Sequence, residues 1–288
     1  MNPIYECHGH IFMDGTEYSA AKERHSAGPV ETSIRKNLQQ LLDSGVTYFR
    51  DGGDNLGVSM CARTLAGEYG IEYVTPIFAI HRRGRYGAIV GKAYDTLSDF
   101  VALAEEARAM GCDFIKIMFS GIMRFDHDKP FSCPPLEEGE IVSLVSAAHD
   151  MGLRVMAHVN GADAVFAAAR AGTDSIEHGY YADDACLEAM AGADCIWVPT
   201  LSAVDAFIGR DGFDRDTVED ILAQQLKQIH KASVMGVLVA SGSDSGAVGV
   251  SHGGGIRREL ELLKGAGIPS VDIRRANETL RQRFRRID

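Results

Sequence analysis

Two histidines near the start of the chain, His8 and His10, stand one residue apart at the end of a short apolar run. The run at residues 3–5 is typical of a β-strand, in which side chains at positions i and i+2 point to the same face. Gly9 between them leaves the opposite face open to a ligand or to another backbone. Two imidazoles on one face of a rigid strand make up half of a metal site. The alternative is a pair of polar core histidines, so the choice depends on ligands elsewhere in the chain.

Further polar residues stand at the ends of predicted strands, or inside one, far apart in the sequence: Lys116, His158, His178 and Asp244. Imidazole and carboxylate groups are suitable ligands for Zn²⁺ or a similar divalent ion. Histidines with only a structural role would have no reason to gather at strand ends, and the remaining histidines fall in predicted loops and helices. The pattern therefore predicts a divalent metal site whose ligands include His8, His10, His158, His178 and Asp244.

Lys116 lies within the apolar segment 114–118, an unusual place for an ammonium group. An ammonium group has no lone pair to give to a metal ion. Burial among apolar neighbours lowers the pKa of a lysine and favours the neutral, nucleophilic amine. Such an amine can add CO₂, and the resulting carbamate is a carboxylate on a long arm that could bridge two metal ions. The alternative is an ion pair between Lys116 and a carboxylate such as Asp113 or Glu177.

Alternating strands and helices must position these residues. The opening run is followed by predicted strands at 46–50, 71–80, 113–118, 153–157, 173–177, 194–199 and 237–240. Helical spacing of apolar residues predicts helices at 31–43, 57–69, 97–110, 137–150, 162–171, 183–191, 216–235 and 256–264, while 12–29 is predicted to be a long loop. Continuous apolar strands such as 237–240 are typical of a parallel sheet covered on both faces.

Eight strands alternating with eight helices predict an α/β fold, a (β/α)8 TIM barrel, as a single domain over residues 1–288. The alternative is an open, doubly wound sheet. The active site of such a barrel lies at the carboxyl ends of its strands. His8, His10, His158, His178 and Asp244 are all expected at that rim.

The composition restricts the partners and the cellular location. The chain has 288 residues, of which 45% are hydrophobic and 24% charged, and a net charge of -11. Negative charge argues against nucleic acid or an anionic membrane as a partner. No apolar run reaches the roughly 18 residues of a membrane helix, and no leader sequence is evident, so we expect a cytoplasmic protein with a small-molecule substrate. The six cysteines form no C-x-x-C pair and are expected to be reduced thiols.

The polar residues, in this strand order, resemble those of the metal-dependent amidohydrolase superfamily: His8-x-His10, Lys116, His158, His178 and Asp244. The segments 111–116, 156–161 and 174–179 are similar to its branch of imidazolonepropionases and prolidase-like dipeptidases. The resemblance covers essentially the whole chain. Members usually begin with a small β-sandwich contributed by both termini, whereas this chain starts almost directly on the first barrel strand. That difference can change the oligomer interface, and a homo-oligomer is one of the possible states of the protein.

The resemblance implies a hydrolase with two divalent metal ions, zinc being the expected metal. One ion would be held by His8, His10 and Asp244, and the other by His158 and His178. A carboxylated Lys116 would bridge the two ions. A hydroxide shared by the ions would attack the substrate carbonyl, and Asp244 would act first as general base and then as general acid. The implied reaction is hydrolysis of an amide C–N bond.

Residues for substrate contact follow from the loop chemistry. The loop after the third predicted strand, with His81, Arg82 and Arg83, is the most basic stretch near the predicted rim. Guanidinium groups can clamp a carboxylate bidentately, so we expect a carboxylate-bearing, peptide-like or N-acyl amino-acid substrate; the alternative is a solvated surface loop. Tyr180 is a candidate for orienting the carbonyl oxygen, or else packs in the wall. His252 is a candidate for lining the pocket, the alternative being a position in an outer loop.

Other functions fit part of the same pattern. A lactonase, esterase or phosphotriester hydrolase would use the same metal ions. A deaminase on this scaffold usually carries a glutamate a few residues after the histidine of strand five, whereas His158 is followed by Val159-Asn160-Gly161-Ala162. A non-catalytic barrel stapled by its metal would need a closed site of four ligands, and this chain offers more ligands than that at an open rim. Hydrolysis of an amide is therefore the prediction.

Overall fold

The computed structural model describes residues 3–126 and 128–285, so the first two residues, His127 and the last three residues of the chain lie outside the described ranges. Its strands, in chain order, are β1 (Ile4–Gly9), β2 (Val46–Asp51), β3 (Glu72–Val74), β4 (Ala79–Arg82), β5 (Gly91–Tyr94), β6 (Ile115–Met118), β7 (Val155–Val159), β8 (Ser175–His178), β9 (Ile196–Val198) and β10 (Leu238–Val239). Its helices are α1 (Tyr18–Arg24), α2 (Glu31–Asp43), α3 (Val58–Ala66), α4 (Leu97–Ala109), α5 (Glu138–Asp150), α6 (Ala162–Arg170), α7 (Asp184–Gly192), α8 (Leu201–Asp205), α9 (Arg215–Val234), α10 (Gly254–Gly265) and α11 (Ser270–Arg283).

Eight of the strands in the described ranges form a closed parallel barrel. The strands β1 to β3 pair in order, and so do β6 to β10. Between β10 and β1, the Cys7 N–H donates to the Ser241 carbonyl at 3.0 Å and thereby closes the ring. Between β3 and β6, the Asp113 N–H donates to the Thr75 carbonyl at 3.0 Å. The predicted (β/α)8 barrel is confirmed.

The third strand differs from its prediction. The stretch 71–80 was expected to form one strand, but it divides into β3 and β4. Pro76 has no N–H to donate to a ladder, and Ile77 next to it has a left-handed φ of 71°. The chain after this break, β4, pairs with both β6 and β5. The pairing with β5 was not predicted, and neither was α1 within the expected loop 12–29.

Buried apolar side chains fill the space between the strands and the outer helices. The strands contribute residues such as Ile117 and Trp197, and the helices contribute residues such as Leu144 and Leu263, each of them fully buried. This packing explains why apolar residues recur at helical spacing in the outer helices and run continuously through the strands. Within the described ranges, no helix combines the length and the apolar character that crossing a membrane requires.

One close contact between strands explains the glycine between the two N-terminal histidines. A Cβ atom at Gly9 would lie 2.5 Å from Ser245 Oγ and 2.7 Å from Phe49 Cζ. Gly9 also forms a parallel bridge with Ser245, which follows β10. Glycine at this position therefore lets β1 approach the segment after β10, and that approach brings His8 and His10 beside Asp244.

Candidate metal centre

The strand ends singled out from the sequence meet at one rim of the barrel. The ring centroids of His8 and His10 lie 5.5 Å apart, those of His8 and His178 lie 5.0 Å apart, and those of His158 and His178 lie 4.7 Å apart. Lys116 Nζ lies 3.3 Å from Nε2 of both His8 and His10. All six predicted residues therefore surround a common centre, although they come from five strands of the barrel.

Three potential metal-ligating atoms of this centre face one another: the Nε2 atoms of His8 and His10, and Asp244 Oδ1. The Nε2 atoms of His8 and His10 each lie 3.6 Å from Asp244 Oδ1. These three atoms fall within 4.8 Å of one another, and Asp244 Oδ1 is buried without a hydrogen-bond partner among the described residues. Lone pairs that converge in this way are unfavourable for a protein alone and favourable for a cation. The donor set therefore fits a divalent metal ion.

The imidazoles are neutral and available as ligands. Burial is the main cause that lowers the pKa of each imidazole, to about 3 for His158 and well below the usual range for His8, His10 and His178. The Lys116 ammonium lowers them further. Burial also raises the pKa of Asp244 to about 6, while Lys116 opposes that shift. Neutral imidazole is the form that binds metals.

A buried chain of charged groups fixes the orientation of His8. Glu177 Oε2 lies 2.6 Å from His8 Nδ1, and Arg50 Nη2 donates to Glu177 Oε1 at 2.7 Å. Both Glu177 and Arg50 are fully buried. A carboxylate at Nδ1 keeps the proton on that nitrogen, so that Nε2 turns its lone pair toward the centre. This role was not predicted from the sequence, although an arginine near the end of β2 and a glutamate inside β8 are unusual enough to have signalled it.

Lys116 is buried, as its position within an apolar segment predicts. The residue is only 1% exposed, and burial lowers the pKa of its amine to about 8. In the described part of the chain, no carboxylate forms an ion pair with its Nζ atom: Asp113 pairs with Arg63 at 3.4 Å, and Glu177 pairs with Arg50. A buried amine that is partly neutral near pH 8 is the form that can add CO₂.

Left-handed backbone conformations aim two of the side chains. His178 has a φ of 67° and Asp244 a φ of 60°. Such values are uncommon outside glycine and are concentrated at functional sites, where the surrounding structure holds them in place. The His178 ring is also held through its Nδ1 atom, which lies 2.7 Å from Thr200 Oγ1. The chain therefore turns sharply at the end of β8 and after β10, and these two turns direct the side chains of His178 and Asp244 toward the centre.

The centre lies at the base of a cavity of about 240 Å³. His10, Lys116, His158, His178 and Asp244 line that base. The walls come from the loops that follow β1, β4, β6, β9 and β10, which are the loops that form active sites in barrels of this kind. The cavity gives a small molecule access to these five residues, while His8, the sixth, is fully buried and is not in the lining.

The two arginines predicted to bind a substrate carboxylate are not among the residues that line the cavity. Arg82 Nη1 donates to Glu140 Oε1 at 2.5 Å, and Arg83 Nε donates to Asp95 Oδ2 at 2.8 Å. The pairing of β4 with β5 places Arg83 beside Asp95, which directly follows β5, whereas Glu140, the partner of Arg82, lies in the first turn of α5. The guanidinium clamp expected from the sequence is not formed at the cavity.

Of the other predicted substrate residues, Tyr180 lines the cavity, whereas His81 and His252 do not. The Tyr180 hydroxyl is already hydrogen-bonded, at 3.1 Å, to the carbonyl and to the side chain of Thr200. His81 Nδ1 lies 3.0 Å from the Arg82 carbonyl, and His252 Nε2 lies 2.8 Å from the Met13 carbonyl. Tyr86, which was not selected from the sequence, does line the cavity, and its ring centroid lies 5.0 Å from that of His158.

Residues 4–280 match the model of the Amidohydrolase family. Among curated proteins, ochratoxinase from Aspergillus niger is 25% identical over 280 aligned residues, which cover 85% of this chain and 58% of the relative. An uncharacterised protein of Mycobacterium tuberculosis is 31% identical over 173 residues, which cover 58% of this chain and 45% of that protein. The chain thus spans about half the length of the curated relatives it matches.

Solved structures share the barrel. A Xaa-Pro dipeptidase with bound methionine superposes with a TM-score of 0.77 and 23% identity, covering 98% of this chain and 75% of its own. The Aspergillus niger ochratoxinase structure has a TM-score of 0.77 and 20% identity, covering 99% and 72%. A structure described as a putative prolidase from Bifidobacterium longum has a TM-score of 0.74 and 21% identity, covering 99% and 69%. At these identities the likeness concerns the fold.

Proposed function

Since the chain belongs to the amidohydrolase family, we propose that its buried polar centre is the active site of a metal-dependent hydrolase of amide bonds. The observation that carries the proposal is the convergence of His8 Nε2, His10 Nε2 and the unpartnered Asp244 Oδ1 within 4.8 Å. A centre of this kind at the base of a cavity is suited to catalysis, because a small molecule can reach it.

We assign the six residues to two adjoining ligand sets. His8, His10 and Asp244 would hold one divalent ion, with zinc as the expected metal, and His158 and His178 would hold a second. Lys116, as a carbamate, would contribute an oxygen to both. Bound there, divalent ions lower the pKa of water and polarise a carbonyl group.

Asp244 is the proposed proton carrier. Its carboxylate lies at the base of the cavity. Its Oδ1 atom lies 3.6 Å from the imidazoles of His8 and His10 and has no hydrogen-bond partner among the described residues. It would accept a proton from the attacking water and pass it to the departing amide nitrogen, which must be protonated to leave as an amine. The residue would thus serve as base and acid in turn.

The carboxylate clamp is not part of the proposed function. Arg82 and Arg83 are paired with Glu140 and Asp95, so neither guanidinium is available at the cavity. The proposed substrate is therefore defined by its amide bond rather than by a free acid group.

Tyr86 is the tyrosine that we expect to hydrogen-bond the substrate carbonyl. Burial raises the pKa of its hydroxyl, and the nearby charge of Asp244 raises it further, so the hydroxyl stays protonated and can donate. We expect Tyr86→Phe to lower kcat by about 10²-fold, as for the loss of one oxyanion donor. The matched variant is Tyr180→Phe, whose lost hydroxyl bonds to Thr200, and it should change kcat far less. Steady-state kinetics with metal content determined for each variant measures both effects, and equal losses in the two variants would contradict the assignment.

The proposed function is tested with an amide, an ester and a lactone of the same acyl group, each offered to protein saturated with Zn²⁺ and to chelator-treated protein. We expect hydrolysis of the amide by the metal-loaded protein, loss of that activity with the chelator, and its return when Zn²⁺ is added. Turnover of the ester or lactone alone would identify a different hydrolase. Bound metal without turnover of any of the three would favour a structural metal site.

A further inference from the structure

The walls above the centre are strongly apolar. Side chains from separate loops supply them, among others Met13 after β1, Ile89 before β5, Ile122 and Phe125 after β6, and Phe207 after α8. In the described lining, the charged and titratable groups other than tyrosines are those of the centre itself: Lys116, Asp244 and the imidazoles. Reactive groups thus occupy the base, and hydrocarbon covers the walls.

From this arrangement we infer that the cavity selects substrates that place a large apolar, ring-sized group beside the scissile amide. The inference rests on the proposed function, because it names the substrate class of the same site. A charged group in that part of the substrate would be excluded.

The size of the cavity fits such a group. Its volume is about 240 Å³, and an engineered apolar cavity of about 150 Å³ in another protein holds benzene. An aromatic or cyclohexyl ring with the adjoining amide therefore fits above the imidazoles. A group of that size excludes water from the walls, and removing apolar surface from water favours binding.

A charged group in the same place would lose its hydration without gaining a partner. The amide of Asn160, a polar group in the lining, is already used: its Nδ2 donates to the Gly121 carbonyl at 3.2 Å, and its Oδ1 accepts from the Tyr180 N–H at 3.1 Å. Three arginines of the flanking loops are already paired with carboxylates: Arg210 lies 3.4 Å from Glu17, and Arg82 and Arg83 form the pairs described above. Charged substrates are therefore disfavoured by desolvation.

An aromatic cluster gives one wall a defined shape. The ring of Phe207 lies 4.6 Å from that of Phe125 and 4.6 Å from that of Phe213. The cluster joins the loop after β6 to the segment between α8 and α9, and such ring contacts stabilise both. Because the wall is already packed, a ring of the substrate meets a surface that needs little rearrangement.

The test compares amides that differ in one group only: a phenyl ring, a cyclohexyl ring, a 4-carboxyphenyl ring and a 4-(trimethylammonio)phenyl ring on the same scissile bond. We expect kcat/KM for the phenyl and cyclohexyl amides to agree within about tenfold. Both values should exceed those of the two charged amides by at least about 100-fold, because the charged groups weaken binding of the transition state by that factor. Equal or better turnover of either charged amide would overturn the inference.

A second test introduces a positive charge at one position in the cavity wall and, as a matched control, at one position outside it. Ile122 lines the cavity and is 45% exposed, so Ile122→Arg should fold, and Val142 on α5 is equally exposed but absent from the cavity lining. We expect Ile122→Arg to shift the ratio of kcat/KM for the carboxyphenyl and phenyl amides by at least tenfold toward the acid. Val142→Arg should leave that ratio at the parent value. An unchanged ratio in the Ile122 variant would count against the cavity as the selecting surface.

Binding of uncleavable ligands separates this inference from the proposed function. Ketone isosteres, in which CH₂ replaces the amide N–H, can be titrated into the metal-loaded protein by calorimetry. Tighter binding of the phenyl ketone than of its carboxyphenyl counterpart without any amide turnover would support the cavity preference while the proposed function failed. Amide turnover with equal binding of the two ketones would overturn the preference and leave the proposed function in place.

Discussion

The Asp244→Asn protein is expected to hydrolyse amides about 10²- to 10⁴-fold more slowly than the parent, the range for loss of a general acid–base catalyst. The substitution removes the charge and the proton-accepting ability of Asp244, while it leaves an oxygen near His8 and His10. Asparagine also tolerates the left-handed backbone found here, where φ is 60°. The fold should therefore survive, and the loss should appear in kcat.

The matched control for this variant is Asp220→Asn, which removes a carboxylate from an exposed position on α9. Its rate should equal that of the parent. Single-turnover and steady-state rates, together with circular dichroism of both variants, measure the effect. A folded Asp244→Asn protein that works at a near-parent rate would remove Asp244 from the proposed chemistry.

Replacing Glu177 with glutamine should weaken metal binding about 10- to 100-fold, the usual cost of losing a group that orients a metal ligand. Glu177 receives Arg50 on one oxygen and the Nδ1 atom of His8 on the other, at 2.7 Å and 2.6 Å. A glutamine can accept from only one of these donors, because its second terminal atom is an NH₂ group. His8 would lose its fixed tautomer or Arg50 its partner.

The same substitution should destabilise the protein by about 3–5 kcal/mol, because breaking a buried ion pair leaves an uncompensated charge. Arg50 cannot move into solvent, since its guanidinium lies 4.4 Å from the ring centroid of buried Phe284. Denaturant unfolding and competition with a chromophoric chelator give the two quantities. Glu188→Gln, at an exposed position on α7, should alter neither. Unchanged metal affinity in the Glu177 variant would refute its positioning role.

The location of the proposed ligands could be predicted from the sequence because barrel geometry is regular. Parallel strands of a barrel bring their carboxyl ends to one rim, so His8, His158 and Asp244 could be placed near one another without any contact being known. The alternation of side chains along a strand put His10 on the same face as His8. The structure places these residues together as expected, and their role in metal binding remains the proposal to be tested.

The fate of Arg82 and Arg83 could not be predicted, because it depends on tertiary partners. Glu140 lies 58 residues from Arg82 along the chain, and nothing local in the sequence links the two. Pro76 within 71–80 did signal a break in that strand, but nothing local in the sequence indicated that β4 would pair with β5. Charge patterns predict which residues can bind an anion, whereas the neighbours in space decide whether they are available.

Anomalous X-ray diffraction at the zinc edge, from crystals of protein that has been loaded with Zn²⁺ and shown to hydrolyse an amide, tests the central claim most directly. We predict anomalous density beside His8, His10 and Asp244, with a second peak beside His158 and His178 and the Lys116 side chain between them. Density for zinc at other residues, or none at this rim in active protein, would contradict the assignment of the metal centre.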